Sequence, residues 1–226
     1  MTKHPLWNDE YWLLLMQLYL KKPLGVKPLY SRPMVKLSLE LHIPPQFLYE
    51  RMFELRRLDT PKIERLWSKY ANSPSKLSRG VKLLRQRQGF NSAGAFYEGV
   101  DVNESFERDF KPLLLADDGT DDTGGGKVTI LPVMLILVLD LYFRLVPATM
   151  VASTPEVAEL ARLMKLKPQT VVDIMEIYQL CDPYLNRQEF IIHPLLEPCQ
   201  QIWQRFGNGN PEKLAALAAQ LKDYFL

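Results

Sequence analysis

Residues 31–59 read SRPMVKLSLELHIPPQFLYERMFELRRLD, and the chain carries a version of this stretch twice. At a spacing of 123 positions, Leu18-Tyr19 falls on Leu141-Tyr142, Leu37 on Leu160, Ile43 on Leu166, Pro45-Gln46 on Pro168-Gln169, Met52 on Met175 and Asp59 on Asp182. One position of slippage brings Ser31-Arg32-Pro33 onto Ser153-Thr154-Pro155. Further on the spacing grows to 136, where Leu66-Trp67, Tyr70 and Asn72 meet Ile202-Trp203, Phe206 and Asn208, so the second copy holds an insertion. Apolar residues recurring at helical spacing, with Pro, Trp and Asn held in place, are the trace of a duplicated helical unit.

With 226 residues and 47% hydrophobic content the chain can fill one large core or two small ones, and the repeat favours two. The net charge of +2 hides a division. Residues 1–100 carry 17 Lys and Arg against 8 Asp and Glu, which leaves 11 and 18 of the totals of 28 and 26 for residues 101–226. A basic half followed by an acidic half points to an anionic partner for the first, or to attraction between the two. Residues 101–127, DVNESFERDFKPLLLADDGTDDTGGGK, contain eight acids, three bases and a glycine triplet, and read as a solvated flexible linker with a short docked piece near residues 110–115. The expected organisation is a basic unit over residues 1–100, the linker over 101–127 and a second unit over 128–226.

Pattern and punctuation place the helices. Asn8 or Asp9 caps one over residues 9–21, and Ser31 is an N-cap candidate with Pro33 in the first turn. Pro45 opens the next, with Leu48, Met52, Leu55 and Arg51 on its inner stripe. Thr60-Pro61 begins a fourth that turns Ile63, Leu66, Trp67 and Tyr70 inward. A fifth carries Leu77, Val81, Leu83 and Leu84 inward and Lys76, Arg79, Lys82, Arg85 and Arg87 outward. The second copy follows the same outline: a helix over 129–145, a Ser153 or Thr154 cap, a helix to Leu163, one from Pro168 to about Leu180, and two more over 199–206 and 211–225. Its added segment, residues 184–198, reads as a short strand pair or an extended loop. A ten-residue helix, a short turn and a longer helix behind an apolar first helix give the outline of a helix-turn-helix.

On the outer side of the helix from Pro45, Gln46, Tyr49, Arg56 and Arg57 form a candidate DNA surface with Lys76, Arg79, Lys82, Arg85 and Arg87. Gln and Arg read base edges, and the remaining cations neutralise phosphates. The bland alternative is a solvated basic surface covered by the acidic linker. The corresponding face of the second copy, Gln169, Thr170, Val172, Asp173, Glu176 and Gln179, has no cation and two carboxylates that repel phosphate. It suits a protein contact through an exposed Val172, or burial against the added segment.

Chemistry is less visible. His4, His42 and His193 are isolated, Cys181 and Cys199 form no CxxC pair, and GTDDTGGGK lacks the Gly-Lys-Ser/Thr element of a phosphate loop. No catalytic residue, metal site or cofactor is assigned, and the expectation is a protein that is not an enzyme. The first residues, MTKHPLWNDEYW, have no signal pattern, and the apolar run at 130–146 is interrupted by Asp140 and Arg144. A reduced cytoplasmic protein with no membrane segment is therefore expected.

The stretch Ser153-Thr154-Pro155-Glu156-Val157-Ala158-Glu159-Leu160-Ala161, then Lys167-Pro168-Gln169-Thr170-Val171, Asp182-Pro183 and Ile202-Trp203-Gln204-Arg205-Phe206-Gly207-Asn208 resembles the helical region that precedes the catalytic domain in bacterial HNH-type restriction endonucleases. The first copy matches more loosely through Ser31, Pro33, Pro45, Leu58-Asp59, Leu66-Trp67 and Asn72. The resemblance implies a helical region that engages DNA. It carries over no nuclease, since the paired-histidine and asparagine metal motif is missing.

The sequence thus leads to an all-α protein of two duplicated helix-turn-helix-like bundles joined by an acidic linker. The leading expectation is a regulatory DNA-binding protein that uses its second unit for assembly with a protein partner or as a homodimer. The rival is a protein-interaction adaptor without nucleic-acid contact.

Overall fold

A computed structural model describes residues 4–90, 105–113, 129–185 and 192–226, and the described residues contain eleven α-helices and no strand. The chain divides into two compact units, Met1–Glu107 and Arg108–Leu226. The GTDDTGGGK stretch lies outside the described residues, as do the acids at 117–122.

Unit 1 begins with a 3-10 turn over Asp9–Tyr11, whose Asn8 Oδ1 accepts from the Glu10 N–H at 3.0 Å, and continues into α1, Trp12–Leu20. Four further helices follow: α2, Arg32–Leu41; α3, Pro45–Arg57; α4, Pro61–Tyr70; and α5, Pro74–Arg85. Proline stands in the first turn of each of these four, where its missing N–H removes no helical bond and its fixed φ suits the helix. α1 packs against α3, α4 and α5, while α2 packs against α3 and α4 against α5.

The core explains this arrangement. Leu14, Leu15 and Met16 of α1 meet Met34, Leu37 and Leu41 of α2, Leu48, Met52 and Leu55 of α3, Ile63 of α4 and Leu77, Val81 and Leu84 of α5. Each contributes about 1.5–3 kcal/mol of transfer free energy when fully buried. Leu83, expected inside, is 62% exposed. It sits roughly 200° around the helix from Val81 at about 100° per residue, so the stripe through 77, 81 and 84 excludes it. One cap departs from expectation and one start is sealed where it was read. Ser31 makes no side-chain cap, its hydroxyl donating backward to the Pro28 carbonyl at 2.9 Å. Thr60 is a working cap, with Oγ1 accepting from the Ile63 N–H at 3.3 Å.

Between α2 and α3 the chain turns at His42, which takes the left-handed conformation with φ 53° and donates its N–H to the Ser38 carbonyl. Ile43 N–H bonds the same carbonyl at 3.1 Å, closing the end of α2 before Pro44 and Pro45 start the next helix.

The division between the units falls within the short helix α6, Ser105–Asp109. Residues 105–113 lie in the stretch expected to be a solvated linker, and they are folded: Glu107, Asp109 and Phe110 are buried, and Leu113 N–H donates to Ile130 O at 2.9 Å. Their buried carboxylates have partners, which is what stops them behaving as solvated acids. Glu107 Oε1 meets His42 Nδ1 at 2.9 Å inside unit 1, and Asp109 accepts both terminal nitrogens of Arg205 at 2.6 and 2.9 Å inside unit 2.

Unit 2 is organised around α7, Pro132–Arg144, with α8, Pro155–Met164; α9, Pro168–Cys181; α10, Leu196–Phe206; and α11, Pro211–Leu221. α7 packs against all four of the others, which is why every residue from Pro132 to Tyr142 is buried, Asp140 included. Arg144 Nη2 donates to Asp140 Oδ2 at 2.8 Å, one helical turn away. Tyr178 donates its hydroxyl to Leu135 O, and Tyr142 donates to Asp182 Oδ2, both at 2.9 Å. α9 touches α7, α8 and α10. Of the two readings of Val172, exposure for a protein contact and burial within the unit, burial holds, at 6% exposed, and Gln179 is buried beside the Met150 sulfur at 3.4 Å. Of the added segment, residues 186–191 lie outside the described set, and the part from Leu196 onward is already helix α10.

Candidate nucleic-acid interface

The nine residues assigned from sequence lie on α3, on α5 and just beyond α5. On α3, Gln46, Arg56 and Arg57 are exposed, while Tyr49 is half-buried in an edge-to-face contact with Phe53 at 5.1 Å. Gln46 Nε2 donates to Glu50 Oε1 at 3.3 Å, so a carboxylate stands among the groups meant to face DNA. Arg57 Nη2 pairs with Asp59 at 3.0 Å. Arg51 is internal: it donates to both oxygens of Glu54 at 2.8 and 2.6 Å, with its guanidinium 4.8 Å from the Phe47 ring centre and 5.6 Å from that of Trp7.

On α5, Lys76, Arg79 and Lys82 are exposed at a spacing of three, which keeps them on one side of the helix. Arg85 makes a two-pronged pair with Glu40, at 2.5 and 2.8 Å, and Arg87, beyond the helix end, pairs with Glu10. Thus three of the seven assigned cations, Arg57, Arg85 and Arg87, already hold a carboxylate. These pairs are surface pairs, worth about 0–1 kcal/mol each, and a phosphate can compete for the arginines. Arg56, Lys76, Arg79 and Lys82 make no ion pair among the described residues.

The structure adds cations that the assignment omitted. On α4, Lys62, Arg65 and Lys69 line one shallow cleft with Leu66. Lys69 Nζ lies 5.2 Å and Lys76 Nζ 5.8 Å from the ring centre of Tyr70, at the junction of α4 and α5, so the basic stripes of the two packed helices meet there. Their helical spacing was legible in the sequence, at 62, 65 and 69. Lys62 is spoken for by Asp9 at 2.6 Å, and the hydrogen bond from Lys62 is the main cause that holds the Asp9 carboxyl below its usual value.

Each unit also carries an open groove. In unit 1 a groove of about 660 Å³ runs between α1, α2 and α5, and in unit 2 one of about 520 Å³ lies between α7, α8 and the chain end after α11. Neither was anticipated, because a groove depends on how far neighbouring helices diverge, which residue pattern does not encode.

Among the described residues no three His, Cys, Asp or Glu stand close enough to hold a metal ion. Burial pushes the Cys181 thiol up to about 11 and the Cys199 thiol up to about 12, so both stay protonated at neutral pH and are weak nucleophiles. Among the described residues no helix is long and apolar enough to cross a membrane.

No family model, curated protein or solved structure matches the chain.

Proposed function

We propose that the chain is a regulatory DNA-binding protein built from a duplicated helical unit, in which unit 1 contacts DNA and unit 2 serves assembly. The observation that carries the reading is the exposed stripe of Lys76, Arg79 and Lys82 on α5, continued onto α4 by Lys69 and Arg65. A row of ammonium and guanidinium groups without internal counter-ions releases condensed cations when it meets a phosphate backbone. α2, the His42 turn and α3 have the outline of a helix-turn-helix, with Gln46 and Arg56 as the groups offered to bases. The resemblance to the region before an HNH catalytic domain points the same way, toward DNA engagement without nuclease chemistry.

Duplication is supported by three correspondences. α1 packs against the third, fourth and fifth helices of its unit as α7 does in its own, and the second and third helices pair in both. Lys165, 123 positions after His42, is also left-handed, with φ 59°. The six groove residues Leu18, Lys21, Pro33, Lys36, Leu37 and Glu40 correspond at that spacing to Leu141, Arg144, Glu156, Glu159, Leu160 and Leu163, all of which line the groove of unit 2. For assembly, unit 2 offers exposed Phe143, Val146, Tyr184 and Leu185, brought into one region by the bond from Tyr142 to Asp182.

The test is anisotropy of a labelled mixed-sequence duplex, titrated from about 50 to 200 mM salt. Wild type should bind with a steep salt dependence. Replacing Lys76, Arg79 and Lys82 together by Ala should flatten the log–log slope by roughly 2.7, about 0.9 per lost phosphate contact. No binding at the low-salt end, or an unchanged slope in the triple variant, overturns the reading. The adaptor alternative has its own support in the carboxylates already held by Arg57, Arg85 and Arg87, and absence of DNA binding would select it.

A further inference from the structure

The groove of unit 1 has a floor of Leu14 and Leu18 from α1, Leu37 from α2 and Leu77 from α5, with Leu24, 67% exposed, on its lip. Its rim is cationic. Lys21 and Lys36 are exposed and make no ion pair among the described residues, while Glu40, the one carboxylate on the rim, is held by both prongs of Arg85. We infer that this groove is a docking site for an acidic amphipathic helix of a partner protein, leucine-type side chains entering the floor and carboxylates meeting Lys21 and Lys36.

Two observations select this occupant. The trough is lined by three helices and open to solvent. That suits a helix laying one face down, whereas a free fatty acid or other small amphiphile is held where 70–90% of its surface is enclosed, roughly. The apolar floor and the unpaired rim cations are complementary to apolar and acidic groups spaced on one helical face. The corresponding groove of unit 2 carries Glu159 in place of Lys36, Glu156 in place of Pro33 and Leu163 in place of Glu40, while Arg144 keeps the cation of Lys21 and Arg162, Lys165 and Lys222 also line it. The shape recurs with opposite charge at the Lys36 position, which makes Lys36→Glu the informative change. The site lies on residues other than the Lys76, Arg79 and Lys82 stripe, and its success or failure is separable from DNA binding.

The probe is a labelled synthetic helix of about 14 residues with Leu at i, i+3, i+4 and i+7 and Glu flanking that face, read by anisotropy against the full chain, beside the same peptide with Lys for every Glu. The acidic peptide should bind and the basic one should bind at least about tenfold more weakly. Lys36→Glu, which copies the residue of unit 2, combined with Lys21→Glu should weaken the acidic peptide by about tenfold or more and leave far-UV circular dichroism unchanged. Ser78→Trp, which fills the groove from the exposed side of α5, should block it without touching the rim charges. The K76A/R79A/K82A variant should bind the peptide as wild type does. Equal affinity for the two peptides, no binding of the acidic one, or binding that survives both the rim and the filling variants overturns the inference.

Discussion

Ser38 stands in the middle of α2 with no measurable exposure, and its hydroxyl oxygen is buried without a hydrogen-bond partner among the described residues. At the matching position of unit 2, 123 residues on, the buried residue is Ala161. Removing the hydroxyl by Ser38→Ala relieves a desolvation penalty of about 1–3 kcal/mol and gains about 0.5 kcal/mol of helix propensity. Against this stands the packing that one heavy atom supplies, somewhat under the ~0.8 kcal/mol of a buried methylene. The net expectation is stabilisation of about 1–2 kcal/mol, weighted to the low end of the desolvation range. The reverse change, Ala161→Ser, should destabilise unit 2 by a similar amount. Urea unfolding separates the two, since Trp7, Trp12 and Trp67 report on unit 1 and Trp203 on unit 2, so a Trp203→Phe background reads unit 1 alone. A midpoint that rises for Ser38→Ala and falls for Ala161→Ser bears out the argument. Loss of about 0.5 kcal/mol or more on Ser38→Ala would refute it, because it would mean the hydroxyl has a partner that Ala cannot replace.

Other parts of the fold make equally direct predictions. Asp109→Ala removes a buried carboxylate that takes two hydrogen bonds from Arg205 and should lower the stability of unit 2 by about 1–2 kcal/mol in chemical denaturation, whereas Lys62→Ala, which breaks an exposed pair, should cost under about 1 kcal/mol. A Cβ at Gly207 would lie 2.6 Å from the buried Trp203 ring, so Gly207→Ala should lower the thermal midpoint and shift Trp203 fluorescence. Lys165 is exposed in the left-handed conformation, and Lys165→Gly should raise stability by about 0.5–1 kcal/mol, with no change in helix content. Because burial raises both thiols above the usual 9.0, the folded state holds protons that the unfolded state releases. Stability is therefore full below about pH 9 and falls as pH rises toward the folded values of about 11 and 12, and Cys199→Ala should lessen that loss.

The parts of the fold legible in sequence are those set by short-range rules. Proline opens α3, α4, α9 and α11 where it was read to do so, and the stripe Leu48, Met52, Leu55 with Arg51 faces inward, because helix period and proline stereochemistry act within a few residues. What failed depends on neighbours far along the chain. Val172 could be exposed or buried as its own helix stands, and it is buried on a helix that packs against three others. His42 looked solitary and lies beside Glu107, 65 positions away. Of the candidate site, the α5 cations were legible as a stripe. Their uneven availability was not, since it is decided by Glu10, Glu40 and Asp59 arriving from other segments.

The same distinction says where the two units, read under the proposal as copies of one, can differ in what they do. Positions fixed by packing, such as the left-handed turns at His42 and Lys165 or the buried pairs Leu18 with Leu141 and Leu37 with Leu160, leave the framework little freedom, because a change there costs about 2–5 kcal/mol. Rim positions cost little to change, within about 0.5 kcal/mol, and they are where charge has moved: Lys36 against Glu159, Glu40 against Leu163, Pro33 against Glu156. A changed rim charge can alter which partner is attracted with little effect on stability, and the two grooves differ in where their charges stand: unit 2 has Glu159 where unit 1 has Lys36, yet keeps Arg144 and adds Arg162, Lys165 and Lys222. Exchanging Lys36 and Glu159 between the units should therefore change the affinity of each groove for an acidic peptide, whereas exchanging core residues should change only stability.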